Sequence, residues 1–229
     1  MKVTYIYHSG FLVDTGSRYL LFDYYRGRVP KMDPNKPLYI FASHVHHDHF
    51  DPAIFRLPEP GQRVQYILSD DIPKHRVPPQ FRSKVEFIGP HSNWDDSAIS
   101  IETLLSTDEG VAFWVRTDGF DIYHAGDLND WFWENSRHYV DLEQRYLSEL
   151  ARIQGRHADV AFVPVDPRLE REYYRGVEFF TRYVDADAIF PMHLWGEYGL
   201  IDKLRRDPRV SAYRDKIEEI REEGQEFLL

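Results

Sequence analysis

The 229-residue sequence contains no cysteine, which excludes disulfides, thiolate-bound zinc and a cysteine nucleophile. No stretch approaches the roughly eighteen consecutive apolar residues of a membrane span. The opening residues, Met1 to His8, lack the apolar core of a secretory signal, so the expected setting is the cytoplasm. Basic residues are in deficit: 28 Lys and Arg against 38 Asp and Glu give a formal net charge of −10. That balance argues against a nucleic-acid backbone or an anionic membrane surface as partner. Neither a Gly-x-Ser-x-Gly elbow nor a glycine-rich phosphate loop is present, against serine hydrolase and nucleoside-triphosphatase chemistry.

What is present suits a folded domain. Hydrophobic residues make up 42% and aromatics 15% of the chain, enough for a sizeable core. The length fits one layered α/β domain spanning residues 1–229. Residues 3–7, 11–14 and 19–23 read as a meander of short strands, and residues 38–42 as a buried strand. Asp51 and Pro52 look like the N-cap and first position of a short helix. Further strands are expected at 64–68 and 84–89, and a second meander at 98–105, 111–117 and 120–124. Helical periodicity appears at 139–154, 170–183 and 198–206, with strands at 158–164 and 188–191 between them. Residues 216–221 and 226–229 read as a closing hairpin.

Chemistry concentrates in Ser43-His44-Val45-His46-His47-Asp48-His49-Phe50-Asp51, directly after the apolar run 38–42. His44 and His46, two apart, leave an extended backbone on the same side. Asp48 and His49 follow where the chain turns. Imidazole nitrogen plus carboxylate oxygen is a donor set for zinc, manganese or iron. His47 should face away. Gly126-Asp127-Leu128-Asn129-Asp130 lacks the ligand spacing of a calcium loop; Asp127, at the end of an expected strand, agrees in position with the opening cluster as a metal ligand. His193, beside Trp195, reads either as a further ligand or as a buried structural histidine. Asp23 would orient a ligand imidazole, while His124 reads equally as a core residue or a supporting one. Trp131, Phe132 and Trp133 read first as a packed plug or lid and second as an apolar wall, with Tyr24 and Tyr25 open in the same way. Arg168 and Arg171 stand where they could hold an anionic group, although cations at a helix start are commonly plain surface charge.

His44-x-His46-x-Asp48-His49 after an apolar strand resembles the signature of the metallo-β-lactamase fold superfamily. Tyr123-His124-Ala125-Gly126-Asp127, Pro191-Met192-His193 and Phe22-Asp23 match its later and earlier motifs, in order, across nearly the whole chain. The resemblance implies a four-layered αββα sandwich with the site on one edge. It implies one or two divalent ions, zinc or manganese first and iron third, held by His44, His46, Asp48, His49, Asp127 and His193. A third histidine, expected ahead of the strand 111–117, is missing from Ser106-Thr107-Asp108-Glu109-Gly110; Asp108, Glu109, His91 or water would complete that site.

The implied activity is hydrolysis of a small ester-like substrate, a lactone or a phosphodiester, by metal-bound hydroxide. Asp48 and Asp127 would be the catalytic carboxylates, an anionic substrate would be accepted at the metal, and the compact lactonase-like branch is the nearest subgroup. The competing reading, motivated by the missing histidine, is a metal-binding or sensing protein that retains the fold with an incomplete first site.

Overall fold

The computed structural model describes residues 1–132 and 139–229, with the side chain of Tyr139 also left undescribed. Two sheets pack face to face. The first contains β1 (Lys2–Tyr7), β2 (Gly10–Asp14), β3 (Tyr19–Phe22), β4 (Leu38–Ala42), β5 (Val64–Ser69) and β6 (Val85–Ile88). The second contains β7 (Asn93–Asp95), β8 (Ile99–Leu105), β9 (Val111–Thr117), β10 (Phe120–His124), β11 (His157–Pro164) and β12 (Asp185–Met192). The last strand, β13 (Glu226–Leu228), returns to the first sheet, whose order is β13-β1-β2-β3-β4-β5-β6; the second runs β12-β11-β10-β9-β8-β7.

Alternation of side chains across the pleat explains the layering. Val3, Tyr5, Phe11, Val13, Leu20, Phe22, Tyr39 and Phe41 join the cluster that extends into the second sheet. Their sequence neighbours Leu12, Leu21, Leu38, Ile40 and Ala42 face the other way, into a separate cluster. Phe11 meets Phe162 at 4.3 Å between ring centroids, and Phe41 meets Phe113 at 5.3 Å, stitching the sheets together.

The helices α1 (Tyr139–Arg152) and α2 (Arg175–Tyr183) are crossovers linking the parallel strands β10, β11 and β12. Both cover the outer face of the second sheet. Phe180 of α2 stacks on Tyr123 at 5.0 Å, and the Tyr146 hydroxyl of α1 donates to the Gly176 carbonyl at 2.8 Å. A shorter helix, α3 (Gly199–Arg206), buries Ile201 and Leu204. The outer face of the first sheet is covered differently, by loops and 3₁₀ turns that supply Met32, Phe50, Ile54, Phe55, Ile72 and Val77. The first of these turns begins as expected: Asp51 caps the Ala53 amide, with Pro52 at the first position.

The closing hairpin does not form. Residues 214–216 make a 3₁₀ turn, Ile217 makes only an isolated bridge to Ile189, and β13 pairs antiparallel with β1. β1 would otherwise be an open edge, and covering it recruits the chain's last apolar residues. The helix expected from residue 170 is broken as well. Glu170 has φ 51°, so a 3₁₀ turn (Pro167–Glu172) precedes α2. Among the described residues no helix is long and apolar enough to cross a membrane.

Strand direction fixes the site. In the first sheet β1 and β3 run the same way as β4, and in the second β10, β11 and β12 are parallel. The segments leaving these strands at their C-terminal ends carry His8, Asp23, His44, Asp127, Asp166 and His193. Such strand ends are where α/β sheets place ligands.

Candidate metal centre

Two groups of donor atoms meet at this edge. His44, His46, Asp108 and Asp127 form one; His8, Asp48, His49 and His193 form the other. Asp127 lies between them: Oδ2 is 3.7 Å from His44 Nε2, while Oδ1 is 3.2 Å from His49 Nε2 and 3.4 Å from His193 Nε2. The structure thus brings together all six residues read from the sequence as metal ligands: His44, His46, Asp48, His49, Asp127 and His193.

Each central imidazole is oriented through its other nitrogen. The Asp23 carboxylate accepts from His49 Nδ1 at 2.7 Å, from the Ser43 amide at 2.7 Å and from the Ser43 hydroxyl at 2.6 Å. Because that hydroxyl proton is committed to Asp23, Ser43 Oγ accepts from His44 Nδ1 at 2.9 Å. Asp166 accepts from His193 Nδ1 at 2.8 Å and is itself gripped by the Arg168 guanidinium. Three Nε2 atoms therefore point at the same space. His124 has a supporting role: it stacks on Phe22, donates through Nε2 to the Ser9 carbonyl at 2.9 Å and accepts the Gly126 amide at 3.1 Å.

Close backbone approach holds the loops in register. Gly126 has φ 52°, and a Cβ there would lie 2.7 Å from Ser43 Cβ and 2.8 Å from the Val111 carbonyl. Gly110, at φ 67°, presses in the same way on the Ser43 carbonyl. Thr107 ties its loop to the Asp127 loop by donating to the Asn129 carbonyl at 2.7 Å. Left-handed conformations gather around the centre at His8 (φ 58°), Asp23 (φ 43°), His193 (φ 64°) and Trp195 (φ 52°). His and Asp tolerate this region better than most residues, but each still costs about 1–3 kcal/mol.

These donors fit a metal. His44 Nε2, His49 Nε2, His193 Nε2, Asp127 Oδ1 and both ring nitrogens of His8 are buried without a hydrogen-bond partner. A buried polar atom left unpaired costs about 1–3 kcal/mol, so a cluster of them calls for a cation. The protonation of His44 and His8 agrees. Burial drives His44 down to about 3 and His8 to about 4, so both are neutral donors near pH 7. Burial opposes ionisation of Asp127, but His49, His193 and His44 outweigh it and hold the carboxyl well below the usual range. Asp48 is likewise depressed against burial, by the nearby imidazoles of His8, whose Nε2 is 3.4 Å from Oδ2, His49 and His193. His49 is raised despite burial because it faces both Asp127 and Asp23.

At the position left open in the sequence stands Asp108, whose Oδ2 lies 3.6 Å from His46 Nδ1. This half of the centre is open to solvent, with His46 and Asp108 each nearly half exposed. Ser106 points inward to accept the Asp108 amide at 3.1 Å, and Glu109 joins neither group. His91 is elsewhere, bonded to Glu149 of α1. His47 faces solvent at 87% side-chain exposure. Trp131 is buried, donates its indole N–H to the Asp127 carbonyl at 2.9 Å and stands edge-on to His193, so the wall reading fits it. Trp133 lies outside the described residues. Arg168 joins Thr107, Asp108, Asp127, Trp131 and Leu142 around a cavity of about 310 Å³.

Two residues at this edge, Asp166 and His8, are assigned no role by the sequence motifs. A usable signal existed for His8: in a three-stranded meander the first and third strands end on the same edge. His8 therefore had to emerge beside Asp23.

Residues 2–193 match the family described as the β-lactamase superfamily domain. A UPF0173 metal-dependent hydrolase from Opitutus terrae is 26% identical over 210 residues, covering 85% of this chain and 80% of that protein. Among solved structures, the metallo hydrolase Igni18 from Ignicoccus hospitalis superposes with a TM-score of 0.64 at 17% identity, covering 100% of this chain and 98% of its own. The diiron β-hydroxylase CmlA from Streptomyces venezuelae gives 0.65 at 12% identity, covering 100% of this chain and 54% of its own.

Proposed function

From the premise that this chain belongs to the β-lactamase superfamily and is a metal-dependent hydrolase, we propose that it cleaves a small ester-like substrate, a lactone or a phosphodiester, at the centre built around Asp127. One observation carries the reading: Asp127 presents one carboxylate oxygen to His44 and the other to His49 and His193, three imidazoles whose Nε2 atoms are buried and otherwise unpaired. His44, His46 and Asp108 with Asp127 would hold one ion, and Asp48, His49 and His193 with Asp127 a second. Zinc and manganese both suit these donors, with iron third. A carboxylate in place of a third imidazole moves the first group toward manganese. A bound divalent ion supplies Lewis acidity and lowers the pKa of water to about 7 at a zinc centre.

The chain's own residues do the rest. Asp127 and Asp48, both kept ionised by neighbouring imidazoles, orient the attacking water and accept its hydrogen bond. Trp131 walls the cavity and limits access of bulk water to the Asp127 side. Arg168, anchored on Asp166, places a fixed positive charge at the rim of a cavity of about 310 Å³. That volume lies at the small end of ligand sites, and the charge suits an anionic substrate in an otherwise acidic protein. The cysteine-free sequence needs no oxidising compartment, which agrees with a cytoplasmic enzyme.

The test compares wild type with Asp127→Ala after reconstitution with zinc or manganese, on a chromogenic phosphodiester and a small lactone. Wild type should carry bound metal and turn over one substrate class, with kcat/KM falling at least about 10³-fold in the variant. Protein without stoichiometric metal, with the variant matching wild type on both substrates, would sink the proposal.

A further inference from the structure

We propose that His8 is a fifth protein donor of the second group, which makes that half of the centre a three-imidazole site that fills before the half built on His46 and Asp108. The inference rests on the metal-dependent reading above.

His8 lies in the β1–β2 turn, far in sequence from the other candidates, and its ring is fully buried. Both ring nitrogens lack a hydrogen-bond partner. A histidine kept in the core for packing normally gives at least one nitrogen a partner, as His124 does at the Ser9 carbonyl. Instead, the His8 ring sits 4.0 Å from the His193 ring between centroids, and Nε2 lies 3.4 Å from Asp48 Oδ2. Its donor atom falls within 4.8 Å of those of Asp48, His49 and His193.

The backbone is arranged to keep it there. His8 adopts φ 58°, its amide donates to the Tyr5 hydroxyl at 2.8 Å, and its carbonyl accepts the His193 amide at 3.2 Å. Two imidazoles from opposite sheets are thereby tied at the main chain and aimed at one point. The two halves then differ in kind. His8, His49 and His193 offer three buried nitrogens, and Asp48 and Asp127 add oxygens. The other half offers His44 and the half-exposed pair His46 and Asp108, sharing Asp127. More nitrogen donors and less water favour tight binding of a zinc-like ion, and open carboxylates favour exchange.

The rival role for His8 is to position Asp48 through a hydrogen bond. Metal-stripped wild type, His8→Gln and His8→Ala are titrated with zinc by calorimetry. A ligand role predicts that both variants weaken the tight phase at least tenfold and leave the weak phase unchanged. A positioning role predicts that Gln, which can still donate to Asp48, restores wild-type affinity, and that result would overturn the proposal. Should the variants fail to fold, wild type with ¹⁵N-labelled histidine is loaded with one equivalent of ¹¹³Cd. Three imidazole nitrogens coupled to the cadmium, one of them assigned to His8, support the proposal. Coupling from His49 and His193 alone refutes it while leaving the hydrolase reading intact, whereas absence of any bound cadmium removes both.

Discussion

Asp23 and His49 are joined by a 2.7 Å hydrogen bond between two fully buried side chains 26 residues apart. Through the Ser43 hydroxyl the same carboxylate also fixes His44. One acid at the end of β3 therefore aims an imidazole into each donor group. Asp23→Asn keeps the shape but loses the charge that holds both Nδ1 protons. Metal affinity should fall roughly 10- to 100-fold in both halves, read by competition with a chromophoric chelator. Unchanged affinity would remove Asp23 from the machinery.

Arg168 tests the substrate's charge. Arg168→Met should raise KM for an anionic phosphodiester about tenfold and leave kcat within about threefold, the pattern of lost uniform binding. A neutral lactone should be indifferent. Because Arg168 also grips Asp166, metal content is measured in parallel. Equal losses on both substrates would show that the guanidinium acts only through Asp166 and His193.

Metal-stripped protein should weaken as the pH falls from about 6.5. Burial holds His8 at about 4, against 6.5 for an ordinary histidine, so the unfolded chain binds more protons in that window and acid favours unfolding. His8 alone is worth on the order of 3 kcal/mol across it, and His44 acts in the same direction. His49, raised in the fold, keeps its contribution below 6.5 and loses it as the pH rises further. Urea midpoints in chelator at pH 6.5 and 4.5 measure the effect, which should be flatter in His8→Gln. A midpoint that rises toward pH 4.5 would contradict the assignment of His8 and His44 as buried and neutral.

Gly126 is required for backbone reasons. Alanine there would need φ 52° and a Cβ 2.7 Å from Ser43 Cβ. Gly126→Ala should cost about 2 kcal/mol or more and displace Asp127, lowering both the melting temperature and the metal content. A stable variant with full metal occupancy would show that the loop relaxes freely.

Much of this centre was legible from the sequence because its central motif is local. Apolar residues 38–42 could only be a buried strand, so the His44 to His49 stretch had to leave its end, and the strand-final positions of Asp127 and His193 pointed the same way. The alternation that builds the two sheets was equally local, a matter of which side chains a pleated strand turns inward. What the sequence left open depended on neighbours across space. Whether Ser106, Asp108, Glu109 or His91 faces His46 is decided by how Gly110 lets the β8–β9 turn press on Ser43. The role of His8 depends on two sheets meeting at one edge, and the path of residues 214–229 on which strand edge still lacked a partner. Spacing along the chain specifies contacts a few residues apart; those made between strands far apart in sequence exist only once packing has set the strands' order and direction.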